Sequence, residues 1–250
     1  MHKNTDKLQV AFTVDIDWAP DFTIKELADF FLENSVKCTW FITHNSGVIE
    51  YLLQFKEMFD FGIHPNFLPN STQGKNEDEI ISNVLKIVNT KIVRTHALVQ
   101  SSPLLKKFYS KYDLTIDVSL FLPEQDNLLP HRLYLDNSGK YIFRIPYFWE
   151  DDVASYIPNF EWNSPERFLV GTGLKIFNLH PMYYHLNMAN MQGYEELKKK
   201  APLYTLSPDD TKSYTNTGEG TQTFVKKLVN WLKNEKILTY TITEIYEKYN

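Results

Sequence analysis

The residues of this chain that can do chemistry fall at one recurring position, the end of a short apolar run. Asp15 and Asp17 close the first such run, His44 follows the second and His64 the third. Arg94 and His96 close the fourth, Asp117 the fifth, and His180 follows a late one. Carboxylate and imidazole together form a ligand set for Zn²⁺ and similar divalent ions. A catalytic site of that kind leaves a position open for water, lowers that water's pKa to about 7, and uses a neighbouring carboxylate as base and a free histidine as acid. The chemistry such a set supports is metal-assisted hydrolysis. Residues two apart on a strand face the same side, so Asp15 stands with Asp17 and Arg94 with His96. Two acids that close repel, and a cation beside them is the usual compensation. The plain alternative for the aspartates is a turn, since Pro20 and Asp21 follow. A lone histidine at a strand end is commonly a hydrogen-bonded structural residue, and His44 is read that way. His2 and His131 are read as non-functional, and His185 as a loop residue beyond His180.

Convergence of these residues requires elements that deliver every strand end to one edge. The first half of the chain alternates strand and helix. Strands are expected at 8–17, 36–43, 59–63, 91–96 and 114–117, and helices at 22–33, 46–56, 77–89 and 102–112. The pattern then loosens. A hairpin is expected around Asp136-Asn137-Ser138-Gly139, a strand at 174–179, a long polar loop at 182–220, a helix at 224–232, a strand at 237–242 and a last helical turn or two to Tyr249. Alternation of this kind favours a parallel sheet with crossover helices. The expectation is a single α/β domain over residues 1–250, an incomplete or distorted (β/α) barrel, with residues 182–220 covering the substrate. Both barrels and open parallel sheets place their sites at the C-terminal ends of the strands.

Composition narrows the function classes. The formal net charge is −5 and there is no block of Lys and Arg, which argues against a nucleic-acid partner. No Gly-rich phosphate loop occurs. The one cysteine, Cys38, lies in an apolar run, so a buried thiol is expected. No run is long enough to span a bilayer, and the polar start lacks the features of a signal peptide. The expected location is the cytoplasm. Apolar residues at 43% permit a full core; 15 Tyr, 17 Phe and 5 Trp suit that core or a sugar-binding cleft equally.

The ordered set of motifs resembles the polysaccharide deacetylase superfamily (the NodB-homology domain, carbohydrate esterase family four), best its divergent WbmS-like branch among surface-polysaccharide biosynthesis proteins. Thr13-Val14-Asp15-Ile16-Asp17-Trp18 resembles the first motif, with a base Asp followed by a metal-binding Asp. Thr39-Trp40-Phe41-Ile42-Thr43 resembles the second strand, Phe61-Gly62-Ile63-His64 the start of the second motif, Arg94-Thr95-His96 the third and Asn178-Leu179-His180-Pro181 the fifth. The resemblance implies metal-dependent removal of an acetyl-like group from an N-acylated sugar, free, nucleotide-linked or lipid-linked. It implies Asp15 as base, Arg94 orienting it, His180 as acid, and Asp17 and His64 as ligands of a divalent ion, Zn²⁺ first, with Co²⁺, Mn²⁺ or Ni²⁺ as alternatives. The second motif departs from the pattern, with Leu68 where a second His is usual. His96 is the expected substitute, His44 the runner-up. Phe148-Trp149-Glu150-Asp151-Asp152 is matched to the fourth motif, with Asp117 as alternative. Trp18, Trp149, Asp151 and Tyr183 are expected to bind substrate, and Tyr184 and Tyr194 are further candidates for stacking on it. Two other functions stay open: a catalytically silent carbohydrate-binding or scaffold protein, and a hydrolase of non-sugar C–N bonds.

Overall fold

Strand β1 (Leu8–Asp15) is buried from its second residue to its last. Parallel strands flank it on both sides: β2 (Cys38–Ile42), with Asp15 opposite Phe41, and β9 (Gly173–Leu179), with Val14 opposite Leu179. A strand covered on both faces has no solvent side to make polar, which is why Val10, Ala11, Phe12 and Val14 show no strict alternation of apolar and polar residues. The computed structural model of the chain describes residues 7–250, so His2 lies outside the described residues.

The other strands are β3 (Phe59–Ile63), β4 (Ile92–Val93), β5 (Ile116–Asp117), β6 (His131–Leu133), β7 (Ile142–Arg144), β8 (Trp149–Glu150) and β10 (Thr239–Tyr240). Their order across the sheet is β6-β7-β5-β4-β3-β2-β1-β9-β8, with β10 added beside β1. All neighbours are parallel except the hairpin β6–β7. The sheet curls without closing, since β6 and β8 are its two ends. This is the incomplete (β/α) barrel that the sequence suggests. Helices α1 (Asp21–Glu33), α2 (Gly47–Leu52), α3 (Glu77–Leu85) and α4 (Ser102–Lys111) connect the first five strands. Asn76 and Ser101 cap α3 and α4 through their side chains. The later helices are α5 (Asp151–Tyr156), α6 (Pro181–His185), α7 (Gln192–Lys200), α8 (Pro208–Thr211), α9 (Thr221–Asn234) and α10 (Ile242–Tyr249).

Two local departures from the sequence reading matter for the site. The fourth strand stops at Val93 rather than running on to His96, which begins a tight turn instead. The stretch 182–220, expected as a loop, is largely short helices held by hydrogen bonds such as Asn216 N to Leu186 O (2.8 Å) and Thr221 N to Met188 O (2.8 Å). Its helical period is hard to read because its helices are too short to repeat a pattern. Cys38 is buried, and burial pushes its thiol pKa well up.

Candidate metal centre and active site

Asp15 is the last residue of β1 and 3% exposed. Both its oxygens are held: Arg94 Nη1 donates to Oδ1 at 3.1 Å and Asn178 Nδ2 to Oδ2 at 2.9 Å. Arg94 is fully buried, its guanidinium 4.4 Å from the ring centroids of Phe41 and Tyr147. Its Nε donates to Val118 O at 3.1 Å, and Nη1 also reaches Thr13 Oγ1 and Asn178 Oδ1. Gly62 gives the Phe41 ring its place, because a Cβ there would come within 2.5 Å of it. Burial alone raises the Asp15 pKa. The positive charge of Arg94, then those of His64 and His180, outweigh it and hold the carboxyl below its usual range.

Asp17 reaches the site by a different route from the strand alternation expected of it. It lies past the end of β1, where Asp17 (φ 35°) and Trp18 (φ 53°) both adopt the left-handed conformation. Non-glycine residues pay for that conformation, and it is found where a site needs it. His64 follows β3 and continues the ladder, its N donating to Ile42 O at 2.8 Å. His96 is delivered by an N–H bond to Pro65 O (3.0 Å), and the turn is completed by Ala97 (φ 51°) and Leu98 (φ 54°). The three side chains meet. Asp17 Oδ1 lies 3.3 Å from His64 Nε2 and 3.2 Å from His96 Nδ1, and the two ring nitrogens are 3.4 Å apart. Donors about 2.0–2.1 Å from a tetrahedral Zn²⁺ stand about 3.3–3.4 Å from one another, so the triangle fits a divalent ion. Asp17 Oδ1 is moreover a buried oxygen without a hydrogen-bond partner, which a cation would satisfy. Burial raises the Asp17 pKa, and the contacts with His64 and His96 overcome this to hold it well below the ordinary value.

His180 follows β9 and is gripped twice by Asp151, through its backbone N (2.8 Å) and its Nδ1 (2.7 Å), leaving Nε2 3.7 Å from Asp17 Oδ2. Burial by itself would lower the imidazole pKa; the charge and hydrogen bond of Asp151, then Asp17 and Asp152, raise it well above the usual value. Asp151 is fully buried, and burial pushes its own pKa up against the pull of His180.

The remaining expectations divide. Trp18 is half-buried, its ring edge-on to His96 at 5.4 Å between centroids. Tyr183 packs 5.0 Å from His180 and lines the site. Trp149, expected against substrate, is instead core. It is 3% exposed and stacked on Phe224 (4.5 Å, 11°) among Phe160, Trp162 and Phe177. Asp151, likewise expected against substrate, touches His180 instead. Tyr184 is 1% exposed and packs on Phe30. Asp117 pairs with Arg144 at 2.7 Å, and His185 bonds Glu26 and Thr211; both serve as structural ties. His44 bonds Thr43 Oγ1 (2.9 Å) outside the Asp17–His64–His96 group. Burial lowers its pKa.

Sequence reasoning missed several residues. Asn178 bridges Asp15 to Glu150 (2.9 Å each) while accepting from Thr13 Oγ1 (2.8 Å). Its position two before His180 in a strand was a usable signal. Gln73 gave none. From inside the 66–76 loop, its Nε2 donates to Thr43 O (2.8 Å) and His64 O (3.0 Å), and its Oε1 accepts from Asn66 N (2.6 Å). It thereby fixes the ends of β2 and β3 where His64 emerges. Leu68, in the same loop, is 41% exposed.

Two cavities meet at Asp17, His96, Tyr194 and Lys198. One, of about 410 Å³, holds Asp15, His64, His180, Tyr183, Glu150 and Asp152. The other, of about 620 Å³, extends past Trp18 to Pro202, Leu203 and Tyr204. The 182–220 stretch supplies one wall of both.

A family model for WbmS-like polysaccharide deacetylases matches residues 12–198. Among solved structures, a candidate polysaccharide deacetylase involved in O-antigen biosynthesis, WbmS of Bordetella bronchiseptica, aligns with a TM-score of 0.74 and 28% identity, over 89% of this chain and 90% of that one. A peptidoglycan deacetylase, PdaC of Bacillus subtilis, aligns at TM-score 0.48 and 10% identity (99% and 93% covered). A family 4 carbohydrate esterase from Bacillus anthracis aligns at 0.41 and 12% (98% and 86%). No curated protein matches the chain.

Proposed function

The chain belongs to the WbmS-like polysaccharide deacetylases, and from that premise we propose that it hydrolyses an N-acyl, acetyl-like group from a sugar or sugar-containing precursor in surface-polysaccharide biosynthesis, as one metal-dependent domain. The observation that carries this reading is the triangle of Asp17 Oδ1, His64 Nε2 and His96 Nδ1, with sides of 3.2–3.4 Å. These residues would hold a divalent ion, Zn²⁺ by its N/O donor set. Such an ion supplies Lewis-acid polarisation of a carbonyl and acidifies a water. Asp15, kept ionised by Arg94 and oriented on both oxygens, accepts the proton of the attacking water. His180, kept charged by Asp151, gives its proton to the departing amine. The 182–220 stretch covers the bound sugar, with Tyr183 and Trp18 against it.

Leu68 opened the silent-protein reading by removing a ligand from its usual place. His96 supports the active one, because it brings a ring nitrogen to the same oxygen of Asp17 that His64 faces. The test is metal analysis of purified protein together with acetate release from N-acetylated sugars. The wild type is expected to retain about one divalent ion per chain and to turn over, and Asp15→Asn to keep the ion and lose turnover. Protein that carries no ion, or an Asp15→Asn variant as active as wild type, would sink the scheme.

A further inference from the structure

The two cavities that meet at the candidate metal centre differ in charge, and on the deacetylase reading that difference bears on the substrate. The smaller one is lined by the carboxyl groups of Asp15, Glu150, Asp152 and Glu195 in addition to Asp17, with His180 and Lys198 among its basic groups. In the larger one Asp17 is the single lining carboxylate; Lys198 lines it as it lines the smaller, and the uncharged donors Asn66, Asn70 and Thr72 belong to it alone. Both cavities offer an anion Lys198, but in the smaller one Asp15 and Glu195 stand beside Asp17 as like charges, whereas in the larger one Asp17 stands alone among hydrogen-bond donors. Lys198 is positioned rather than free: its Nζ lies 5.1 Å from the Tyr194 ring centroid and 3.3 Å from Glu195 Oε1. The larger cavity, at about 620 Å³, is also of ligand size in its own right, and Tyr204 at its rim is 59% exposed.

We propose that the larger cavity binds an anionic group carried on the acylated sugar, a phosphate or a carboxylate, with Lys198 as its partner, while the reacting N-acyl unit, itself uncharged, occupies the smaller cavity. A phosphate would come from a nucleotide- or lipid-linked sugar and a carboxylate from an acidic sugar neighbour.

Calorimetric titration of the metal-loaded protein at low salt tests this with three probes: uridine diphosphate, glucuronate and neutral N-acetylglucosamine. At least one anion is expected to bind about tenfold or more tighter than the neutral sugar, with Lys198→Glu erasing that margin and Lys226→Glu, on the exposed side of α9, preserving it. Whichever anion shows the margin identifies the source. Anions that bind no better than the neutral sugar overturn the proposal. So does a margin that survives Lys198→Glu, which would mark direct binding to the ion. Binding is read without turnover, so a Lys198-dependent margin in a protein that hydrolyses nothing supports the cavity assignment while removing the deacetylase reading. Turnover of neutral sugars with no margin removes this inference alone.

Discussion

Two carboxylate–imidazole groups lie 3.7 Å apart in this protein, Asp17 Oδ2 to His180 Nε2, and are wired in opposite ways. In the first, Asp17 faces two ring nitrogens with an oxygen that no hydrogen bond satisfies. In the second, a buried carboxylate grips one imidazole through both Nδ1 and its backbone N. The same residue types thus leave a carboxylate oxygen unsatisfied between two rings in one group and fix a single ring by two hydrogen bonds in the other. What separates them is the partner count: two histidines converge on Asp17 Oδ1, one histidine meets Asp151.

The sharpest way to break that contrast is to remove the centre of the first group. Asp17→Asn is expected to abolish stable metal retention and to lower kcat/KM by about 10³-fold or more. Metal content after dialysis checks it, and a variant that keeps its ion would show that Asp17 is not a ligand.

Asp151→Asn acts on the second group and should leave metal content unchanged while cutting kcat by about 10²-fold. The sign of its pH effect follows from Asp151 raising the pKa of His180. Without that charge His180 loses its proton at lower pH, so the alkaline limb of the kcat profile moves down in pH. An unmoved limb would deny His180 the acid's part.

Gln73→Leu tests whether the first group depends on the loop that braces it. Loss of the bonds to Thr43 O and His64 O is expected to weaken metal affinity by about 10–100-fold, with the Asp151–His180 limb in place. A Co²⁺-loaded spectrum would report the changed ligand field independently of activity.

The smallest effect is expected at Glu150, between the two groups. Burial, then the charges of Asp152 and Asp15, hold its carboxyl above the usual glutamate range. The unfolded chain therefore releases this proton at lower pH than the folded one. Its contribution to stability is complete below the unfolded value near 4.5 and is lost as pH rises through the folded value. Glu150→Gln should leave metal-free protein unchanged in melting temperature at pH 4 and stabilise it by about 1–2 kcal/mol at pH 9 relative to wild type. Equal shifts at both pH values would mean that the carboxyl ionises normally.

Much of the site could be read before the fold was known. Asp15, His64, Arg94 and His180 lie at the ends of apolar runs or just past them, and a parallel sheet brings all such ends to one edge. Trp149 shows the limit: its residue type suited a sugar platform, but only packing against Phe224 and Trp162 reveals it as core. Asp151 was the right residue in the wrong part, because nothing local says whether a carboxylate faces a ligand or a neighbouring histidine. Gln73 could not be found at all, since its partners are backbone carbonyls, which every residue has.

The sequence by itself determined the alternation of strands and helices in the first half of the chain, the half-barrel class and the identity of the candidate site residues, because side-chain period and residue type are local properties. Tertiary structure alone decided that His96 rather than His44 joins Asp17 and His64. That choice depends on the bond from His96 N to Pro65 O and on left-handed turns at Asp17 and Ala97, which place side chains where strand alternation would not. It also decided that Asp17 meets two ring nitrogens and Asp151 only one, since those contacts join residues from different strand ends, Asp17 with His64 and His96, and Asp151 with His180.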